Sequence, residues 1–470
     1  PTASATTKKR LAMKKASFSI RSTSCASVSG ANPKNKSTTV SAFAWTACIL
    51  LVSGCPKQDD AISRAIVFLD RTQTRHDVNI PGKSDFIGNW PQVFHFRNAP
   101  NYRIPDVSPF VVAFAHHALS TIRTENGDIL GLDGDELSTV RSMRQRAISC
   151  LQQFESAPSS PDAGTFGFWP LDSNSTERQS ALETGLFAML RGPVLGGNRA
   201  PVNLSYFPAR LAIPSDADVT ATTYAALLDH HDLDDGHEVN VAIETFFADW
   251  RDTGEHPLRY SPEWLPPQSG AFLTWLMYRE PEAETFGNDL DLVVNANVLY
   301  ALARYGKGAT PGFEESVALI NSAVTQGLHR THWSEISLYY PDSYVFHYCV
   351  ARAYAEGPVP QLAPAVEILS EELLGEAISG PLGTSYWNRG NPHLNTAFAL
   401  LTLQLADADS PTVDAGIRYL KEQQCPITGS WKEAPFFIAN SDSGVVIEWE
   451  SAALTTAMAL EALCRHQMRE

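Results

Sequence analysis

The feature that most constrains this chain is a repeat. From residue 61 to residue 463, amphipathic segments alternate with segments rich in Ala and Leu that are nearly free of charge after their first turn. The amphipathic set is Ala61–Gln73, Val140–Phe154, Val239–Trp250, Phe313–Leu328, Ala363–Leu374 and Thr412–Gln424. Its apolar residues recur at three and four positions, as at Val413, Ile417 and Leu420, which is the spacing of one helix face. The apolar set is Ser108–Thr121, Asp218–Leu228, Leu292–Ala303, Tyr344–Ala355, Asn395–Leu405 and Ser451–Leu463. A helix that is apolar nearly all round must be buried on most sides. Polar-faced helices alternating with helices that need burial predict an inner ring inside an outer ring, an all-α (α/α)6 toroid. A solenoid also stacks helix pairs, but irregular unit lengths and long aromatic loops favour the closed ring. Small residues such as Ala221, Ala296, Ala351 and Ala457 let the inner helices approach closely.

In such a ring, the loops from outer to inner helix all lie at one end. They carry Ile87-Gly88-Asn89-Trp90, Gly164-Thr165-Phe166-Gly167-Phe168-Trp169, Gly270-Ala271-Phe272-Leu273-Thr274-Trp275, Gly383-Thr384-Ser385-Tyr386-Trp387 and Gly429-Ser430-Trp431. Residues 164–217 form a long Pro/Gly/Asn-rich loop, sized for a lid over the ring's mouth.

Charge divides the chain. The first 54 residues hold eight basic residues and no acid, which leaves 28 basic against 52 acidic residues in the remainder. A body that acidic does not track a nucleic-acid backbone, so no nucleic-acid partner is expected. The N-terminus is basic, then Ser/Thr-rich, then apolar over Val40–Val52, a run too short for a comfortable membrane span. Residue 1 is a proline, and Met13 is a candidate start. The run ends in Val52-Ser53-Gly54-Cys55, which resembles the lipobox of bacterial lipoproteins. That resemblance implies cleavage before Cys55, lipidation of Cys55, and an exported protein anchored by lipid at the periplasmic side of the cell envelope. An ordinary signal peptide, or a tail unrelated to export, is the plainer reading. The expected organisation is a signal segment, 1–54, and one toroid domain, 55–470.

Tyr419-Leu420-Lys421-Glu422-Gln423-Gln424, followed by Gly429-Ser430-Trp431, resembles the QW repeat of squalene cyclases. In that repeat, Gln ends the outer helix and bonds the next helix start, Gly turns the chain, and Trp packs over the junction. Leu151-Gln152-Gln153 with Gly167-Phe168-Trp169 is a looser copy. The chain thus resembles the superfamily of terpenoid cyclases and protein prenyltransferase β-subunits. Asp216-Ala217-Asp218-Val219-Thr220-Ala221 is similar to the Asp-x-Asp-Asp-Thr-Ala segment of class II terpene cyclases. By that resemblance Asp218 is the proton donor of an acid-initiated isoprenoid cyclisation and Asp216 a supporting carboxylate. Val219 replaces the last Asp of the segment, and most such cyclases carry a second helical domain. Two close carboxylates do not both ionise easily, so one can stay protonated. The competing reading is that an Asp at a helix start simply caps backbone N–H groups. The cyclase reading needs a deep apolar cavity with Asp218 at its ceiling; a cavity packed shut with side chains would remove that reading.

Other polar residues stand at inner-helix starts: Asp106, Asp289, Asp291, Asp342, His347, His393, Glu448 and Glu450. With Trp169, Trp275 and Trp387 they would line a mouth of carboxylates and aromatics. This composition also suits a glycosidase or lyase built on the same ring, with paired carboxylates and sugar platforms, or a non-catalytic lipid-anchored binding module. The expected ligand is apolar or sugar-like. Asn295 and Asn297 interrupt an apolar helix and must either bridge neighbouring helices or face the central space. Cys150, Cys349, Cys425 and Cys464 fit no zinc spacing and read as small core hydrophobes. Cys349 follows His347-Tyr348 rather than the Asp-x of zinc-binding prenyltransferase subunits. His347 reads more readily as a satisfied core histidine than as a ligand. No metal and no cofactor are expected.

Overall fold

The computed structural model describes residues 60–75, 79–80, 83–84, 87–122, 132–156, 158, 160–168, 214–231, 242–278, 287–440 and 446–469. The chain divides between Cys55 and Pro56 into two compact units, and the first, with Cys55, lies outside the described residues. So do Trp169 and most of the expected lid.

Two sets of helices alternate in the described chain. The outer set is α1 (Asp60–Thr72), α3 (Gly134–Leu151), α5 (Ile243–Asp249), α7 (Phe313–Thr325), α9 (Ala363–Glu376) and α11 (Pro411–Gln423). The inner set is α2 (Pro109–Ser120), α4 (Ala217–His231), α6 (Leu292–Arg304), α8 (Tyr344–Ala355), α10 (Pro392–Leu405) and α12 (Ala452–Gln467). Each inner helix packs on the next, and α12 returns to α2, closing the ring. Around it, α1 leans on α12, α3 on α2 and α4, α5 and α7 on α6, α9 on α8 and α10, and α11 on α10 and α12. Ala221, Ala296, Ala351, Ala397 and Ala457 are fully buried along the inner ring. Helix α7 ends earlier than its periodicity suggests, because Gly327 adopts φ +69° and turns the chain into two one-turn helices, Leu328–Thr331 and Trp333–Ile336.

The glutamine–tryptophan motif is a joint between consecutive outer helices. Gln424 Nε2 donates to the carbonyls of Ala61 (2.8 Å) and Gly429 (2.9 Å), tying the end of α11 to the start of α1. Trp431 Nε1 donates to Leu420 O at 2.8 Å. Gly429 has φ +80°, and a Cβ there would lie 2.2 Å from the carbonyl oxygen of Arg64, so only glycine fits. The same joint links α1 to α3: Gln73 Nε2 donates to Gly88 O and Met143 O, both at 3.0 Å, and Trp90 Nε1 donates to Leu69 O at 2.9 Å. Trp387 repeats the indole contact, on Leu373 O at 2.7 Å.

The looser copy is not built this way. Gln153 is exposed and bonds its own helix at Ser149 O, because the aromatic at the joint is Phe166, two residues after Gly164. The backbone N–H of Phe166 donates to Thr220 Oγ1 (3.0 Å), just as Trp387 N–H donates to Thr396 Oγ1 (3.0 Å) and Trp431 N–H to Thr456 Oγ1 (3.3 Å). Phe272 holds the equivalent place on α6, with its N–H on Asn295 Oδ1 at 3.0 Å. Of the four cysteines among the described residues, Cys150, Cys349 and Cys464 are buried as expected, whereas Cys425 sits in the turn after α11, half-buried, where its N–H bonds Ser430 O.

A four-stranded antiparallel sheet was not legible in the helical pattern. Its strands are β1 (Gln92–Phe96), β2 (Ala99–Asp106), β3 (Pro435–Asn440) and β4 (Val446–Glu450), in the order β2-β1-β4-β3. It joins the first and last outer-to-inner loops across the point of ring closure. Glu448 and Glu450 therefore lie on a strand, not at a helix start. Alternation puts Phe94 against Trp449 on one face (ring centroids 5.7 Å apart) and His95 against Glu450 on the other (3.3 Å). Among the described residues, no helix is long and apolar enough to cross a membrane.

If the glutamine joint holds the outer ring together, Gln424→Ala should destabilise the fold by about 1–3 kcal/mol, since it removes two buried hydrogen bonds, to Ala61 O and Gly429 O. Gly429→Ala should cost at least as much, through the clash with Arg64. Chemical denaturation would check both, and wild-type stability in the two variants would show that the ring closes without this joint.

Candidate active site

Asp216 belongs to a two-residue strand, Ser215–Asp216, paired with Trp275–Leu276. This pairing fixes the start of α4. Asp216 is buried, and its Oδ1 accepts the backbone N–H groups of Asp218 (2.7 Å) and Val219 (3.0 Å). It is a cap, as the plainer reading held. Asp218 is not. Its side chain turns into the ring, where Oδ1 accepts Asn297 Nδ2 at 2.6 Å and Oδ2 accepts the hydroxyl of Tyr340. Asn297 Oδ1 in turn accepts Arg352 Nη2 at 2.6 Å. Thus Asn297 bridges α4 and α8 from its seat on α6, while Asn295 faces outward and accepts Ser316 Oγ on α7 (2.7 Å).

Burial dominates the electrostatics. Asp216 is pushed well above the carboxylate range, first by desolvation and then by the Asp218 charge. Asp218 is also raised by desolvation, against the opposing pull of Tyr340, Asn297 and Arg352. Asp291, the cap of α6, is raised to about 6 by burial, although Ser337 Oγ (2.6 Å) and the backbone N–H groups of Leu338 (2.9 Å) and Val293 (2.8 Å) favour its anion. Three buried carboxyls in one neighbourhood cannot all ionise, so the site holds at least one carboxylic acid at neutral pH. Arg352 is the facing cation. It is buried and wedged among the rings of Phe114, Tyr300 and Tyr348, with its guanidinium carbon 4.5–5.2 Å from their centroids.

A second group adjoins through the Tyr339–Tyr340 dipeptide. Asp289 Oδ2 accepts Tyr339 OH (2.5 Å), Arg259 Nη2 (2.6 Å) and Trp275 Nε1 (3.2 Å). Above both groups lies an aromatic layer centred on Phe437 of β3. It stacks on Tyr339 (5.8 Å) and Phe168 (5.2 Å) and meets Trp449 (5.4 Å) and Tyr340 (5.9 Å) edge-on. A cavity of about 180 Å³ lies beside α1 and β1, lined by Phe68, Gln92 and Glu450. Another of about 290 Å³ opens at the far end of the inner helices, among His117, Asp229, Arg304, Glu356 and Arg465. Neither of these reaches Asp218, which is buried.

The remaining expected residues lie apart. Asp342 caps α8 and bonds Asn395 Nδ2 (2.8 Å). Trp387 is a joint residue inside the wall. Glu448 and Glu450 pair with His95, Arg97 and Arg103 on the sheet face away from the aromatic layer. His347 turns outward, toward His329. Trp169 lies outside the described residues. Sequence reasoning missed Tyr340, Tyr339, Arg259 and Arg352. Only Arg352 carries a signal, a lone cation in the middle of an inner helix that is otherwise apolar or aromatic.

Comparison of the sequence with known families and with curated proteins finds no match. Among solved structures, the chain is similar to the type II terpene cyclase MstE from Scytonema, with a TM-score of 0.51 and 15% identity over 87% of this chain and 97% of that one. A Scytonema MstE variant with an aspartate-to-asparagine substitution, in complex with the substrate geranylgeranyl dihydroxybenzoate, matches with a TM-score of 0.50 and 14% identity, covering 87% and 96% of the two chains. A crystal structure of a protein from Actinoplanes matches at 0.50 and 14%, covering 87% and 99%. These likenesses establish the fold: a terpene-cyclase-type toroid.

The raised Asp216 carboxyl makes a pH prediction. An acid whose folded pKa lies above its unfolded value stabilises the fold at low pH, and that contribution is lost as pH rises through the folded value. Asparagine caps a helix about as well as aspartate but does not ionise. Asp216→Asn should therefore gain stability over wild type progressively above about pH 4. Thermal melts of the two proteins from pH 4 to pH 9 check this, and parallel curves would refute the assignment.

Proposed function

We propose that this protein is an acid-initiated isoprenoid cyclase of the type II terpene cyclase kind, with Asp218 as the proton donor. The observation that carries this reading is the setting of Asp218 itself. It is a buried carboxyl in the ring's interior, held by Asn297 and Tyr340, next to two further buried carboxyls that keep a proton in the cluster. Burial keeps a proton on the cluster, and the hydrogen bonds from Asn297 and Tyr340 together with the Arg352 charge offset part of the cost of the Asp218 anion left when that proton passes to an alkene. The aromatic layer supports the next step. The rings of Phe437, Phe168, Tyr339 and Trp449 pack on one another and would offer π density to a carbocation once β3 has moved.

Size is consistent with the same reading. The match to MstE spans almost all of that cyclase, so a ring of this length needs no second helical domain to resemble a complete enzyme. MstE's substrate is a polyprenyl chain on an aromatic acid, and an apolar polyprenyl ligand is the class we infer here. Asp218 is buried and neither cavity described above reaches it, which by the criterion of an open apolar cavity counts against this reading, so the reading requires that β3, which carries Phe436 and Phe437, moves to admit a substrate. The carbohydrate reading gains nothing from the geometry: Glu448 and Glu450 sit on the far face of the sheet, tied up by arginines.

Incubation of the purified protein with linear C15 to C30 prenyl substrates should yield cyclic products by gas chromatography–mass spectrometry. Asp218→Asn, whose amide oxygen can still accept Asn297 Nδ2 while the Tyr340 hydroxyl turns to accept its N–H, should lower turnover by about 10²–10⁴-fold with the fold intact. Full turnover in Asp218→Asn, or calorimetric binding of oligosaccharides rather than polyprenyl alcohols, would overturn the reading.

We further infer export and lipid anchoring through Cys55, supported by the ordered basic, apolar and small-residue segments that precede it. In a bacterial host, labelled palmitate should enter wild type but not Cys55→Ser, and the variant should leave the membrane fraction. Equal labelling of the two would reject the anchor.

A further inference from the structure

Away from the carboxyl cluster, two imidazoles and a carboxylate meet on the outer side of the ring. His329 lies on the one-turn helix that follows α7, His347 on α8 and Glu372 on α9. One ligand atom from each lies within 4.8 Å of the other two, and this is the sole such trio of His, Cys, Asp and Glu among the described residues. Both histidines are buried, and the Glu372 side chain is 14% exposed.

Three details distinguish the trio from a chance meeting of polar side chains. First, His347 Nδ1 lies 2.6 Å from the carbonyl of Ser343. A carbonyl only accepts, so Nδ1 carries the hydrogen and Nε2 keeps its lone pair. Fixing one ring nitrogen on a carbonyl is how proteins orient an imidazole for a metal. Second, His347 is buried and meets the His329 ring edge-on, with centroids 5.6 Å apart. Third, His329 approaches Glu372 Oε2 through Nε2 at 2.7 Å, while its Nδ1 is buried with no hydrogen-bond partner. Arg330, at 3.2 Å from Glu372 Oε1, steadies the carboxylate from the solvent side.

We propose that His329, His347 and Glu372 bind one divalent transition-metal ion of the zinc type. Two neutral imidazoles and one carboxylate suit zinc, cobalt or iron(II) rather than calcium or magnesium. Three protein ligands leave a further position for water. Binding displaces the proton shared by His329 and Glu372, which leaves to solvent. The ion ties α8 to α9 and pins the start of the segment that runs from His329 to Tyr339 and Tyr340. It is a structural clasp, and it does not depend on the cyclase reading.

The test is calorimetric titration of the chelator-treated full-length protein with zinc chloride, with cobalt(II) absorption as a second probe. We expect one zinc per chain and visible cobalt bands of a four- or five-coordinate site. Glu372→Gln and His347→Gln should each weaken zinc binding by at least about 10-fold, while His466→Ala leaves it unchanged. Glu372 is partly exposed, so its variant keeps the fold, and it alone decides if His347→Gln does not fold. No stoichiometric zinc binding in wild type, or undiminished binding in Glu372→Gln, overturns the proposal.

Discussion

An inner helix that is apolar on every side is stable only when it is walled on every side. That constraint shapes the whole molecule. In an open stack the last inner helix would expose one flank; here α12 packs back on α2 and removes the edge. The outer helices then supply the second wall, and their alternating polar faces meet solvent. Closure is reinforced where it occurs, because Gln424 reaches from the end of α11 to the start of α1, and the sheet pairs β1 with β4 across the same seam. Residues from opposite ends of the sequence thus form the seal.

The ring interior that results is dry, and every polar group in it must be answered by another. Asn297 illustrates this. Its amide donates to Asp218 and accepts from Arg352, so one side chain on α6 links charges on α4 and α8. A polar chain of this kind is costly when half-satisfied. The cation of Arg352 and the carboxyls of Asp216, Asp218 and Asp291 compensate only in part, since three acids face one guanidinium. Protonation of the carboxyl cluster follows from that imbalance together with burial.

The ring was legible in the sequence because period and charge both report burial. All twelve helices coincide with segments marked by apolar spacing or by loss of charge, and the joint at Gln424, Gly429 and Trp431 was legible from its motif. The errors were also physical. Two-residue strands and the four-stranded sheet leave short patterns that a helical repeat hides, even though Ile447 and Trp449 alternate with Glu448 and Glu450. The second joint was misassigned because a tryptophan was sought where Phe166 serves. The partners of Asp218 were invisible for a different reason. Tyr340 and Arg352 stand 122 and 134 positions away along the chain, and only ring closure sets them beside it.

Capping and acid chemistry stood as rivals for the pair at the start of α4; the geometry makes Asp216 the cap and turns Asp218 inward, where the proposed acid role falls. Asp216 spends one oxygen on the backbone N–H groups of α4, which anchors the helix start against the strand pair with Trp275. Two residues on, Asp218 lies within the first helical turn, where its own backbone is already capped. Its side chain is therefore free to turn inward. A second carboxyl at that spacing would be poor design for a cap alone, because it places a like charge against the first in a dry site. The arrangement is coherent when one of the two keeps its proton. The cap then needs only an acceptor oxygen, which a protonated carboxyl still offers, and a neutral Asp216 sets no like charge against Asp218.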